Sequence, residues 1–341
     1  MAVSDRTGVR VPDLTATRAW LTAVADPFVD VRLAGGPLSA PAELETAVAA
    51  HPAVATTLDR QRADGSWGAD ADWRRRVLPT LQTAMVLAEL GLSVRQEGWS
   101  RAVDFLASVA HTADGVFSRT GDRGGVLSCY VGIAGSTYLL GGRPDLAGPQ
   151  VAWVLRHQDV RRGGVSSRPV PVEVYHRGLA TRYGGCLSET TCLIGLVKTG
   201  RALELWTRET DDADARAVLA AIRVAFLDRQ LFRRADGGVL PLGTPASDPE
   251  RWLRPSFPLD WRTDLVEVLD LVARTGPADV RMQPALDHIA GVQLPDGSWP
   301  LGRAFWPPDL PAVERRDRRR GSPIVTMRVV EALSVAEVKN S

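Results

Sequence analysis

Two carboxylates stand where strongly apolar segments begin. Asp264 lies in Phe257-Pro-Leu-Asp260-Trp261-Arg262-Thr-Asp264-Leu, and Glu189 in Tyr183-Gly-Gly-Cys186-Leu-Ser-Glu189-Thr-Thr-Cys192. A carboxyl drawn into apolar surroundings keeps its proton to higher pH and can serve as a general acid, which makes Asp264 the first candidate and Glu189 the second. Arg262 close to Asp264 would act in the opposite sense. Cys186, Glu189 and Cys192 fall at i, i+3 and i+6 if a helix begins near Cys186, and Cys129 opens an earlier apolar segment. With His176 these sulfurs suit a nucleophile, a zinc site or plain packing; their spacing matches no strong zinc signature, so no metal is expected. Arg74, Arg75, Arg76, Arg182 and Arg262 offer seats for an anion. Trp73, Tyr130, Tyr183, Phe257 and Trp261, with Phe305 and Trp306, offer rings to line an apolar pocket or to face a cation.

What positions these groups is a repeat. Leu58 to Gly68 reads Leu-Asp-Arg-Gln61-Arg-Ala-Asp64-Gly65-Ser-Trp67-Gly68, and Gln293-Leu-Pro-Asp296-Gly297-Ser-Trp299 repeats its second half. Weaker copies follow Gln230 and Gln158, and Ala113 to Phe117 keeps only the turn. An amphipathic segment precedes each copy: 44–61, 99–110, 151–158, 213–230 and 282–293. A more apolar one follows: 78–92, 128–140, 188–203, 263–273 and 324–333. Apolar residues three and four apart mark both sets as helices, the second better buried. The apolar register aligns Thr83 with Thr326 and with Asp264, which places Asp264 one turn into an apolar helix. Glycine in the Asp-Gly turn supplies the backbone conformation that ends a helix. One helix pair cannot bury both its faces, so pairs must stack.

The Gln-to-Trp repeat resembles that of squalene and hopene cyclases and their relatives in the terpenoid cyclase and protein prenyltransferase superfamily, over roughly residues 44–335. That resemblance implies an all-α fold, an α/α toroid of five to six inner and outer helix pairs. The chain 1–341 is expected to form one domain, with a helical segment at 13–33 completing the ring. The motifs of the best-known activities are missing: there is no DxDD, the proton donor of class II cyclases, and no Asp-x-Cys of the zinc prenyltransferases. In such toroids the cavity opens where outer helices connect to inner ones. Those connections hold 19 Arg against 10 Asp and Glu, although the whole chain carries only +1. The expectation is a cationic mouth for an anionic, largely apolar substrate such as a diphosphate or carboxylate.

These features point to a small cyclase-like enzyme performing an acid–base cyclisation or isomerisation without a cofactor. The alternatives are a non-catalytic isoprenoid- or lipid-binding protein and a zinc-dependent transferase or hydrolase. The negative remainder of the chain argues against nucleic acid. No signal segment, membrane span or disulfide framework is read from the sequence, so a cytoplasmic location is expected.

Overall fold

Two Asp-Gly turns repeat each other bond for bond. In a computed structural model, which describes residues 8–158, 160, 192–242 and 248–338, Gly65 and Gly297 both sit at φ +86°, where a side chain would be strained. Asp64 accepts the Ser66 N–H and hydroxyl at 3.1 and 2.6 Å; Asp296 accepts the same groups of Ser298 at 3.0 and 2.5 Å. Gln61 and Gln293 each donate at 2.8 Å to the carbonyl of the turn glycine. The Trp67 and Trp299 indoles, both fully buried, donate to carbonyls ten residues back, at Thr57 and Ile289. Their backbone N–H groups donate ahead to the Thr80 and Thr326 hydroxyls at 3.0 and 2.9 Å. Each tryptophan therefore ties the helix before the turn to the helix after it.

Thirteen α-helices and no β-strand are found among the described residues, the all-α class that the toroid expectation requires. In chain order they are α1 (Thr15–Ala23), α2 (Pro27–Leu33), α3 (Ala42–Ala50), α4 (Pro52–Asp59), α5 (Trp73–Leu90), α6 (Glu97–Val109) and α7 (Ser128–Leu140). They continue with α8 (Pro144–His157), α9 (Leu193–Glu209), α10 (Ala213–Leu227), α11 (Leu265–Arg274), α12 (Gln283–Gly291) and α13 (Pro323–Val338). None is long and apolar enough to cross a membrane. The chain groups into two compact units, one drawn from Met1–Val29, Leu219–Phe305 and Glu314–Ser341, the other from Asp30–Val218 and Trp306–Val313. In the second unit α7 packs against α5 and α9, with α6 covering α5 and α8 covering α7. Residues Ser128 to Leu139 of α7 are all buried, the expected outcome for a helix apolar on every side. In the first unit α11 packs on α13, α12 covers α11, and α1 lies against α13.

The structure corrects four details of the sequence reading. The segment 44–61 is two helices, divided at His51-Pro52, where proline fixes the start of the second. Thr80, not Thr83, plays the part of Thr326. Asp264 is not a turn inside its helix but caps it. Gln230 is not the counterpart of Gln61 either: α10 ends through Gln230 and Leu231 at φ 44° and 69°, and this shifts the turn onward. Arg233 takes over, donating to the Gly237 carbonyl at 3.1 Å. In the 111–117 turn Gln150 of α8 performs that role, donating to the Gly115 carbonyl at 2.8 Å.

Candidate functional site

In the first unit the strongest concentration of candidate residues is a loop corner in front of α11. Three backbone bonds fasten 255–258 to 302–305: Gly302 donates to Pro255 at 2.8 Å, Phe257 to Arg303 at 2.9 Å and Phe305 to Pro258 at 3.1 Å. Gly302 allows this approach, since a β-carbon there would stand 2.6 Å from the Pro255 carbonyl. The Phe257-Pro258 bond is cis, and Phe257 and Leu259 are buried. Asp264 caps α11 by accepting the Glu267 N–H at 2.8 Å, and it also accepts the Ser256 N–H at 2.7 Å. Arg328 of α13 reaches both Asp264 oxygens at 3.0 and 3.2 Å and donates to the Ser256 carbonyl. The proton-donor role expected for Asp264 does not suit this arrangement. Both oxygens accept bonds from fixed donors, and 1% of the side chain is accessible.

Arg262, expected to pair with Asp264, pairs with Asp260 instead, at 3.1 Å. Its guanidinium lies 4.7 Å from the Trp261 ring and 4.0 Å from that of Phe305. Arg303 lies against the same Phe305 ring at 4.5 Å. These are distances at which a ring face attracts a cation. Burial, then the like charges of Arg251 and Arg262, holds Arg303 below the usual guanidinium range; Asp248 opposes this and Arg316 adds to it. No carboxylate among the described residues makes an ion pair with Arg303. The sequence reading missed this residue, although Arg303-Ala-Phe305 carried a signal: in an extended segment, residues two apart project to one side.

The second unit holds a different arginine group, and there the expected cationic mouth is not what the geometry shows. Asp72 caps α5, whose first turn carries Trp73 and the three arginines. Arg76 is buried, pairs with Asp64 at 3.0 Å and lies 5.7 Å from the Phe105 ring. Arg75 pairs with Asp70 at 3.0 Å, and Arg74 stacks over Trp73 at 4.6 Å with Asp72 at 4.0 Å. Local acids absorb this charge. Tyr130, at the start of α7, packs near Phe117 and under Arg119. Burial, with Cys192 nearby, pushes the Cys129 thiol up to about 12, so a nucleophilic thiolate is disfavoured there. Cys192 caps α9, its sulfur accepting the Gly195 N–H. Among the described residues no three His, Cys, Asp or Glu side chains converge as a metal site. An open groove of about 470 Å³ beside Trp153 and Arg156 is lined by none of the candidate residues.

Arg182, Tyr183, Cys186, Glu189 and His176 lie outside the described residues. Another carboxyl went unnoticed in the sequence: Glu314 accepts the Ser322 hydroxyl and the Ile324 N–H at the start of α13, and burial pushes its pKa up.

No protein-family model and no curated protein matches the chain. Among solved structures it is similar to a protein from Actinoplanes at 18% identity, covering 86% of this chain and 99% of that one with a TM-score of 0.36. It is also similar to the type II terpene cyclase MstE from Scytonema. A variant complexed with the product merosterolic acid A gives 15% identity, coverage of 86% and 97%, and a TM-score of 0.34. A variant complexed with the substrate geranylgeranyl dihydroxybenzoate gives 13%, 86% and 97%, and 0.35. At these values no residue role or substrate passes from those proteins to this one.

Proposed function

We propose that the protein binds an apolar molecule through an anionic group and acts on it as a small terpene-cyclase-like enzyme, by acid–base cyclisation or isomerisation. The observation that supports the anionic part is the half-buried Arg303 held against Phe305 beside Arg262, with no carboxylate of its own. A cation in that position is a ready partner for a ligand's charge. Buried Phe257 and Leu259 and the half-buried Trp261 and Phe305 supply apolar surface beside it. The tryptophan-tied helix pairs support the toroid architecture that the sequence resemblance implies. Asp264 is engaged by Arg328, so the proton donor falls to another carboxyl, Glu189 first and Glu314 second.

The test is turnover and binding against a panel of allylic diphosphates and acidic polyenes, followed by mass spectrometry. A cyclised or isomerised product that is lost in Glu189→Gln, in a variant that still folds, supports the enzyme. Binding without product in the unaltered protein moves the reading to a non-catalytic isoprenoid- or lipid-binding protein. Neither binding nor product with any member of the panel would overturn both.

A further inference from the structure

We infer that the arginine run 315–320, ahead of α13, is an interaction surface for the anionic headgroups of a lipid bilayer, holding the protein there reversibly by charge. This goes beyond the proposed activity and does not depend on it.

The run reads Arg315-Arg316-Asp317-Arg318-Arg319-Arg320. All five arginines are exposed, and none of their guanidiniums has an ion pair, hydrogen bond or ring contact among the described residues. Asp317 is the single acid within the run, and it accepts the Arg319 N–H at 2.9 Å. Five adjacent arginines against one carboxylate repel one another, so the run weakens the fold locally unless something outside it supplies counter-charge. The Arg74 to Arg76 run is the opposite case, each arginine having its own carboxylate.

The run is also held at both ends. Glu314 accepts the Ser322 hydroxyl and the Ile324 N–H, which closes the segment on itself at the head of α13. Ser322 donates its N–H to the Trp299 carbonyl at 2.8 Å, and the Trp299 N–H bonds the Thr326 hydroxyl at 2.9 Å. The backbone is thus tied to the tryptophan turn while the charged side chains stay in solvent. A broad anionic surface can meet several of them at once with little ordering of the chain.

The surroundings of the run decide among polyanions. It carries +4 in a chain whose total is +1, so the other residues carry −3. A long nucleic acid would extend past six residues onto that negative remainder. Against a bilayer, charges farther away than a Debye length of about 8 Å are screened. A protein partner needs apolar surface beside the charges. No residue of 315–320 is apolar, and of those flanking it Leu310 and Ile324 are buried and Val313 half-buried. Anionic headgroups ask only for density of charge, and a cluster of roughly four to eight basic residues suffices to hold to them. No helix among the described residues is long and apolar enough to cross a membrane, so this attachment is at the surface.

Co-sedimentation of the full chain with vesicles tests the surface. Phosphatidylcholine vesicles in which about one lipid in three is phosphatidylserine should bind the protein at low salt and release it as salt rises. Vesicles of phosphatidylcholine alone should not bind it. Arg318→Gln, Arg319→Gln and Arg320→Gln together should lower the affinity about a hundredfold, at roughly fivefold for each charge near the surface. The thermal melt of that variant should not fall, since none of the three side chains has a partner in the fold. Arg208→Gln, on the α9 arginine paired with Glu204, should bind as the unaltered protein does. If the triple variant fails to fold, Arg315→Gln with Arg316→Gln carries the same test, with a loss of about twentyfold or more expected. No binding to the phosphatidylserine vesicles, equal binding to phosphatidylcholine alone, or undiminished binding by these variants overturns the inference. Tighter binding to a DNA duplex or to polyglutamate than to the vesicles, lost in the same variants, overturns it in favour of a nucleic acid or an acidic protein. Vesicle binding is read without turnover, so its failure leaves the proposed activity standing.

Discussion

Two arginine groups, one in each unit, differ in what their charge is free to do. Arg74, Arg75 and Arg76 are consecutive at the head of a helix, and Asp72, Asp70 and Asp64, within about a dozen residues upstream, pair with them in turn. In the other unit Arg262 and Arg303 meet over the Phe305 ring from separate segments, and only Arg262 has a carboxylate partner, Asp260, among the described residues. A dense run of charge in a sequence often comes with its own neutralising acids, because near neighbours meet whatever the fold. Charge gathered from distant segments has no such guarantee. It is the second kind on which the proposed function rests.

Three outcomes test this contrast. The largest effect belongs to the support of the second cluster. Asp264→Asn removes the carboxylate that faces Arg328, 13% exposed, and should cost about 3–5 kcal/mol in urea unfolding. Asp72→Ala, at the head of α5, should cost only about 1 kcal/mol, since it removes a cap and no buried pair. Equal losses would mean that the Asp264–Arg328 pair is not the anchor of the corner. Next comes Arg76→Gln. Because Arg76 is buried against Phe105 and paired, it should lower stability by about 1–2 kcal/mol. A loss of binding for the allylic diphosphates, with no loss of stability, would restore the α5 triplet as the anion seat. The smallest effect is expected at Arg75, whose side chain is 75% exposed: Arg75→Gln should change stability by less than about 0.5 kcal/mol. A larger change in a thermal melt would show that the Asp70 pair contributes more than an exposed ion pair should.

Much of the fold was legible from residue types. Asp-Gly followed by Ser-Trp specifies a turn and a buried indole that ties the helix before it to the helix after it, and the copies at Asp64 and Asp296 form the same bonds. The degenerate copies were harder to read. Gln230 looked equivalent to Gln61, but two left-handed residues moved the turn and gave its bond to Arg233; nothing in the local pattern announces such a shift. Asp264 was legible as a carboxylate at a helix start, and its position beside apolar residues suggested an acid. Its partner Arg328 stands 64 residues away, so the sequence alone could not show that the carboxylate was already engaged.

What the sequence determined by itself is therefore local: the helix periods, the turns, the caps within three residues, and the acids that neutralise a run of arginines. These follow from backbone geometry and from contacts between near neighbours, which hold in almost any fold. Only the tertiary structure decided which charges were left over. Arg303 meets Phe305 two residues away, but Arg262 reaches the same ring from a segment 43 residues upstream, beside the 255–258 stretch that is bonded to 302–305. Long-range pairing chose the partner of Asp264 and left Arg303 without one, and the balance of a charge depends on every segment that folds against it.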